Sequence, residues 1–198
     1  MQPAIAFLEL DSIAIGIRVG DAMVKRAPVR QTFAGTVHPG KYLVYVAGDV
    51  ASVEEALAAG LEVAGEALVD QIFLPDAHPQ VVEAIGGLRR RRRGEALGVV
   101  ETRTVAAIVG AADRGVKGAE VELQEVRLAD ELGGKAYCLF QGSVADVEAA
   151  VELAVESLRR PELLVARVVI PQLHEEMAQN LESAPEFLPV VRAHGAAS

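Results

Sequence analysis

Apolar and polar positions follow a fixed order along the chain, and this order occurs twice. Apolar runs with strand-like composition begin the two halves at residues 4–10 and 96–102. Ser12 and Thr104 then occupy the position of a helix N-cap, because a hydroxyl can accept a hydrogen bond from an unpaired helix N–H. Apolar residues at helical spacing follow in both halves. They are Ile13, Ile17, Gly20 and Val24 in the first half, and Val105, Val109, Ala112 and Val116 in the second.

Each half continues with two strands, a helix, a fourth strand and a short helix. Asp49 and Ser143 are candidate N-caps of the helix in the middle of this series. The predicted strands cover 29–36, 41–47 and 70–74 in the first half, and 120–128, 135–141 and 164–170 in the second. The order β-α-β-β-α-β predicts an α+β fold made of two tandem ferredoxin-like units.

The two halves also match residue by residue, which indicates a tandem duplication. At an offset of 92 positions, Glu9 aligns with Glu101 and Lys25 with Lys117. At an offset of 94, GKYLVYVAGDVASVEEA lies over GKAYCLFQGSVADVEAA. We therefore divide the chain into a first domain at 1–88, an arginine-rich linker at 89–94, a second domain at 95–182 and a C-terminal tail at 183–198.

The composition favours a soluble, oligomeric protein of the cytosol. Hydrophobic residues make up 51% of the 198 residues and the mean hydropathy is +0.27, so broad subunit contacts are expected. Uncharged stretches are shorter than the roughly 18 apolar residues that a membrane helix needs. The N-terminus lacks the basic region of a signal peptide. The single Cys138 excludes an intrachain disulfide and fits a reducing compartment.

The net charge of −9 argues against general nucleic-acid binding. One basic run, Arg89 to Arg93, interrupts this acidic background; without its five arginines, 14 basic residues would stand against 28 acidic ones. A short basic run in an acidic protein is typical of a solvated linker, and contact with an anion or a partner is the alternative.

Catalytic motifs are not found in the sequence. It contains no Ser/His/Asp series in triad order, no metal-ligand spacing, no P-loop and no GxGxxG motif before a helix. We therefore expect no enzymatic activity.

Several longer segments resemble one protein family. These are GDAMVKRAPV, PGKYLVYVAGDVASVEEAL, GVVETRTVAAIVGAADRGVK, GGKAYCLFQGSVADVEAAV and VIPQLHEEM. Together they resemble the bacterial microcompartment shell proteins, in particular the tandem-domain trimeric members such as the one in propanediol-utilisation shells. The resemblance covers nearly the whole chain, in both copies and in uninterrupted order.

The resemblance implies a structural role. Three chains would form a homotrimer whose six similar domains make a pseudohexagonal tile with a central pore for metabolites, electrons or metal ions. A threefold ring of a duplicated unit agrees with this geometry. Such tiles pack edge to edge with other shell proteins around encapsulated enzymes, in microcompartments of the cytoplasm. No nucleic-acid or membrane partner is implied.

By the same resemblance, the turn between the second and third strands of each copy lines the pore. The pore-lining residues would be Val37, His38, Pro39 and Gly40 in the first copy, and Asp130, Glu131, Leu132 and Gly133 in the second. Some tandem relatives hold an iron–sulfur cluster through a cysteine at the position of His38. Because this chain has histidine there, no cofactor is expected, although a ring of three imidazoles could bind a metal ion.

The resemblance also assigns two lysines to the tile edge, each with an aspartate one helical turn earlier as an i, i+4 partner. These edge residues are Asp21, Lys25, Asp113 and Lys117. Family members often carry an arginine in a P-R-P-H segment that docks into the adjacent tile, whereas this chain has Asp76 and Gln172 there. The histidines of these segments, His78 and His174, are expected to be structural residues at a helix start.

Two other functions remain open from the residues alone. The first is a trimeric carrier in which the His38 ring binds a redox centre or a metal, at about one ion per trimer. The second is a ferredoxin-like sensor that binds a small metabolite in a cleft between the domains, which requires a pocket with defined polar groups.

Overall fold

The computed structural model describes residues 3–91 and 94–183. The first copy consists of β1 (Ala4–Leu10), α1 (Ile13–Arg26), β2 (Gln31–Val37), β3 (Lys41–Gly48), α2 (Val50–Ala64), β4 (Leu68–Leu74) and α3 (Pro79–Ile85). The second consists of β5 (Ala96–Thr102), α4 (Val105–Gly118), β6 (Glu122–Leu128), β7 (Ala136–Gly142), α5 (Val144–Glu156), β8 (Leu164–Ile170) and α6 (Glu175–Ser183). The two copies repeat the same series of elements.

Each copy forms one antiparallel sheet of four strands. The strand orders are β2-β3-β1-β4 and β6-β7-β5-β8. This arrangement confirms the predicted α+β fold with two tandem ferredoxin-like units. Observed and predicted strand ends differ by two residues at most; β4, for example, begins at Leu68 rather than at residue 70. Ser183 ends α6, and the remainder of the predicted tail lies outside the described residues.

All four predicted N-caps are confirmed. The side chains of Ser12 and Thr104 accept hydrogen bonds from the third helical N–H of α1 and α4, each at 3.3 Å. Asp49 accepts from Ser52 N at 3.0 Å, and Ser143 caps α5 in the same way. The hydrogen bonds from Ser52 hold the pKa of Asp49 below its ordinary value. The residues at these positions therefore set where the helices begin.

The equivalent helices α1 and α4 have different environments. In α4, Val105 and Val109 are completely buried. Their counterparts in α1, Ile13 and Ile17, are 42% and 57% exposed. The difference arises because the first copy covers α4, whereas the outer face of α1 has no neighbour among the described residues. Three residues of the predicted apolar stripe, Ile13, Ile17 and Val24, therefore lie at the surface. The fourth, Gly20, is buried, and α1 packs on its own sheet through Gly16, Val19, Gly20 and Met23.

A single hydrophobic cluster extends across both copies. It contains Phe7 and Tyr45 from the first sheet, Val81 from α3, and Val109 and Phe140 from the second copy. A second cluster fills the space between α1, α2 and the first sheet. The two copies are thus joined by shared apolar burial, which is the main favourable contribution to folding. No helix in the described ranges is long and apolar enough to cross a membrane.

The beginning of the arginine run is not a solvated linker. Arg89 forms an ion pair with the buried Glu125 at 3.2 Å and also donates to the carbonyl of Leu181. The backbone N–H of Arg90 donates to Gln124 O at 2.9 Å, and its side chain pairs with Glu83. These contacts attach the segment to β6, because buried carboxylates and strand carbonyls need partners. Arg92 and Arg93 lie outside the described residues.

Candidate functional site

The two turns predicted to line a pore lie side by side in one chain. His38 Nδ1 lies 3.4 Å from Asp130 Oδ1, and the backbone N–H of Glu131 donates to the same nitrogen at 3.4 Å. His38 belongs to the first copy, whereas Asp130 and Glu131 belong to the second. The structure therefore brings together equivalent loops of the two copies, as a ring of copies requires.

The backbone of both turns adopts conformations that favour glycine. Gly40 has φ +99° and donates to Val37 O at 3.0 Å, which closes the first turn. Gly134 has φ +83°, and a Cβ atom there would lie 2.9 Å from Pro39 Cδ. Glu131 also has a positive φ, of 60°. The close approach of the two turns thus depends on a glycine where they meet, while Leu132 and Gly133 continue the second turn.

Both turns are accessible to solvent. The side chains of His38 and Asp130 are 66% and 65% exposed. Within residues 3–91 and 94–183 of one chain, no three His, Cys, Asp or Glu side chains form a metal-binding group. Cys138 lies in the core of the second copy, where burial raises its pKa far above the ordinary value. Cys138 is therefore a small side chain of the core.

A buried carboxylate connects the first turn to the contact between the copies. Glu9 is completely buried and accepts from Lys41 Nζ at 2.7 Å and from the backbone N–H of Val105 at 2.8 Å. Desolvation raises the pKa of Glu9, and the bonds from Lys41 and Val105 oppose this shift. Lys41 directly follows the first turn, so Glu9 joins that turn to the N-terminus of α4.

Sequence reasoning did not find this contact. In the second copy, Lys135 likewise pairs with Glu101. Repetition of the same Glu and Lys in both copies is the signal that could have identified the pair of Lys41 with Glu9, although not the bond from Val105. The carboxylate of Glu101 is 28% exposed, whereas that of Glu9 is completely buried.

Asp70 provides a second contact between the copies. Its Oδ2 accepts from the hydroxyl of Thr104 at 2.5 Å, and its Oδ1 lies 3.3 Å from Arg160 Nη2. Thr104 therefore caps α4 and bonds to the first copy at the same time.

The predicted edge residues form the expected i, i+4 ion pairs. Asp21 and Lys25 are 2.6 Å apart, and Asp113 and Lys117 are 2.7 Å apart. Asp113 also accepts from the backbone N–H of His78 at 2.7 Å, and Lys117 donates to Asp76 O. The second pair thus contributes to the contact between the copies, and the tile-edge role of all four residues stays a prediction.

The histidines that end the two segments at 75–78 and 171–174 have structural roles, as predicted. His78 Nδ1 accepts from Gln80 N, and His174 Nδ1 accepts from Glu176 N, each at 3.3 Å. His78 is the N-cap of α3, and His174 directly precedes α6. The same role in both copies explains a histidine at this position in each.

An open recess of about 550 Å³ lies against the first sheet and α3, and Leu128 of the second copy also lines it. Its lining is mainly apolar and includes Phe7, Phe33, Tyr45, Val82 and Ile85. Phe33 stacks on Tyr45, with ring centroids 5.8 Å apart, and remains 63% exposed. Gln31 and Thr36 also line it, so the recess has few polar side chains that could orient a metabolite.

Comparisons with known proteins agree with this architecture. The BMC domain family matches residues 4–77 and 96–173. The bacterial microcompartment shell protein PduT of Citrobacter freundii is 47% identical over 89% of this chain and 96% of its own length. The carboxysome assembly protein CcmO of Synechocystis sp. is 29% identical over 93% of this chain and 66% of its own length.

Solved structures show the same relationship. A crystal structure of a microcompartment protein from Desulfitobacterium hafniense has a TM-score of 0.79 and 38% identity, over 90% of this chain and 99% of that one. A fused permuted hexameric shell protein of the RMM microcompartment has a TM-score of 0.58 at 19% identity, covering 79% of this chain and 82% of that chain, and so shares the fold. The two BMC matches in one chain, together with these relatives, show that the protein belongs to the tandem-domain bacterial microcompartment shell proteins.

Proposed function

We propose that three chains form a ring of six BMC domains that serves as a structural tile of a microcompartment shell. The observation that supports this most directly is the contact of His38 with Asp130 and Glu131. Equivalent loops of two copies meet at one end of their shared contact. Repeating the same step around a threefold axis would bring six such loops together.

The centre of the ring would be a pore lined in alternation by two kinds of turn. Residues 37–40 contribute imidazole, and residues 130–133 contribute carboxylates from Asp130 and Glu131. The acidic groups favour cations and oppose small anions in a narrow opening. Because the two copies differ in sequence, alternate turns can differ while the outline of the ring stays hexagonal. The groups on these turns would then select the metabolites that pass through the pore.

The partners of this tile are other shell proteins, packed edge to edge, with encapsulated enzymes on one side. The relatives are described as shell and carboxysome assembly proteins, and none of these descriptions names an enzymatic activity. We assign no catalytic role and no resident cofactor to the chain. Neither the carrier nor the sensor interpretation has support among these relatives.

Two measurements test this function. Sedimentation analysis should give a mass of about 63 kDa, three times the 20.9 kDa of one chain. Electron microscopy of concentrated protein, alone or with partner shell proteins, should show hexagonal sheets or incorporation into shells. A monomer at all concentrations, or a trimer with residues 37–40 far from its axis, would overturn the proposal.

A further inference from the structure

The contact between the copies inside one chain provides a template for a contact between chains. Within the chain, the strand side of the first copy meets the helix side of the second. Two of its hydrogen bonds run from Val105 N to Glu9 Oε2 at 2.8 Å and from His78 N to Asp113 Oδ1 at 2.7 Å. Each of these four residues has a counterpart in the other copy. Among the described residues, no such hydrogen bond joins the counterparts, which are Ile13, Asp21, Glu101 and His174.

The helix side of the first copy is open. We call Ile13, Ile17, Asp21, Val24 and Lys25 the open helix face. Val24 is 44% exposed, whereas its counterpart Val116 is 8% exposed. The side chain of Asp21 is 55% exposed, against 7% for Asp113. Three large aliphatic residues in one exposed stripe mark a surface that a neighbour covers.

The strand side of the second copy is open in the same way. We call Glu101, Val168, Gln172 and His174 the open strand side. Val168 is 47% exposed, whereas its counterpart Ile72 packs against α4, with Cδ1 3.2 Å from the Cβ position of Gly110. The carboxylate of Glu101 is held in place by Lys135, as Glu9 is by Lys41. The carboxylate of Glu101 is therefore already oriented by Lys135 within a single chain.

We propose that Glu101 accepts a hydrogen bond from the backbone N–H of Ile13 in the next chain, and thereby binds the N-terminus of its α1. The partner is a second copy of this chain, so the inference rests on the proposed trimer. A carboxylate at a helix N-terminus is favourable because it pairs with an unsatisfied N–H and with the positive end of the helix dipole. In the same contact, Asp21 of the next chain accepts from the backbone N–H of His174.

The contact between chains lacks the interactions that Asp70 makes with Thr104 and Arg160 in its template. In the strand register, Glu9 is opposite Asp70, whereas Glu101 is opposite Ala166. The hydrogen bond from Thr104 to Asp70 therefore has no counterpart between chains. The ring should separate between chains while the two copies of each chain stay together.

Cysteine pairs test this arrangement. In the Asp21→Cys, His174→Cys double variant, mild oxidation should link chains into a covalent trimer on non-reducing gels. The matched control, Asp113→Cys with His78→Cys, should form a disulfide within the chain. It should still migrate as a single chain on the same gels. The N–Oδ1 distance of 2.7 Å in the template is compatible with the Cα separation of roughly 4–7 Å that a disulfide needs.

A second variant tests the carboxylate itself. Glu101→Gln should weaken association by roughly fivefold per interface. Loss of its partly exposed ion pair with Lys135 should raise the unfolding equilibrium constant of the separated chain by only about fivefold or less, which corresponds to about 1 kcal/mol. Glu54→Gln, at an exposed position of α2, is the matched control and should leave association unchanged.

Failure of the proposed trimer and failure of this contact give different results. If the unaltered protein does not form trimers, the proposed function fails.

If it does, and the control pair closes while the interchain pair does not, this contact is wrong. If the control pair fails to close, the association constant of Glu101→Gln decides, and an unchanged value rejects the contact.

Discussion

Glu9 of the first copy accepts a hydrogen bond from the backbone N–H of Val105, the first residue of α4, at 2.8 Å. This contact joins the two copies through residues that are 96 positions apart in the chain. Lys41 lies on the other oxygen of the carboxylate at 2.7 Å. The charge of Glu9 is thus compensated by one cation and by one helix terminus, in a site that water does not reach.

The first prediction concerns the pH dependence of stability. Because desolvation raises the pKa of Glu9 above its ordinary value of 4.5, the folded chain holds this proton more tightly than the unfolded chain. The contribution of Glu9 to the free energy of unfolding is therefore greatest at low pH. It falls as the pH rises from the ordinary value to the raised pKa, and is constant above that.

Glu9→Gln removes this titration. The stability of the unaltered protein relative to the variant should increase when the pH is lowered from about 7 to about 4. Denaturant unfolding of both proteins at each pH measures the difference. A difference that is constant, or that decreases on acidification, would contradict the assignment.

Thr104 should matter more than its counterpart Ser12. Thr104→Ala removes the cap of α4 and the hydrogen bond to Asp70, so it should lower the free energy of unfolding by about 1–2 kcal/mol. Ser12→Ala removes a cap only and should cost about 1 kcal/mol or less. Thr104→Ser keeps the hydroxyl and should recover most of the loss in thermal unfolding. Equal costs at the two positions would argue against a role of Thr104 between the copies.

Arg89 should contribute more to stability than Arg91. Arg89→Ala removes the ion pair with the buried carboxylate of Glu125, so a loss of about 2–4 kcal/mol is expected. Arg91→Ala, at an exposed side chain, should change stability by less than about 0.5 kcal/mol. Adding Glu125→Gln to Arg89→Ala should recover part of the loss, since the buried charge that paired with Arg89 is removed as well. The test fails if the two arginine variants unfold at the same denaturant concentration.

Cys138 should be unreactive in the folded protein. Complete burial raises the pKa of its thiol, so the thiolate that reacts with alkylating reagents is scarce and inaccessible. Mass spectrometry after iodoacetamide treatment should show no modification under native conditions and full modification in denaturant. Rapid native labelling would mean that the core of the second copy opens readily.

His38 should affect the pore and not the assembly. His38→Ala removes one of the two kinds of pore group, and its exposed side chain contributes little to the packing of one chain. Trimer mass should be unchanged, while ion or metabolite flux across reconstituted shells should change. Loss of the trimer would contradict the assignment.

Metal analysis tests whether the His38 ring holds an ion. Protein purified without a chelating tag should contain much less than about one metal ion per trimer, because we expect no resident cofactor. About one ion per trimer, lost in His38→Ala, would show instead that the three imidazoles form a metal site.

The fold was largely predictable because both copies carry the same local signals. Alternation and repeated segments gave the strand ends within two residues, and the caps at Ser12 and Thr104 gave the starts of the helices that follow them. Burial was less predictable. Ile13 and Val105 have the same position in equivalent helices, yet one is a surface residue and the other is completely buried. The difference depends on which copy lies next to the helix, and this is not encoded within either helix.

The candidate site was predictable in part. The two turns could be identified from their glycines and from the family resemblance, and the i, i+4 pairs followed from helical spacing. The bond from Val105 to Glu9 and the ion pair of Arg89 with Glu125 could not be identified, since they join residues 96 and 36 positions apart. Long-range partners of charged groups depend on how the copies dock, so a basic run that looks like a linker can be part of the packed structure.

The peptide connection through Arg89 also affects how a ring responds to dilution. A ring of separate single-domain subunits needs six molecules to meet, whereas three fused chains already carry half of the junctions, formed at a fixed effective concentration. Ring formation then depends on the third power of protein concentration rather than the sixth. Scarce expression would therefore impair such a protein far less than it would impair an unfused relative.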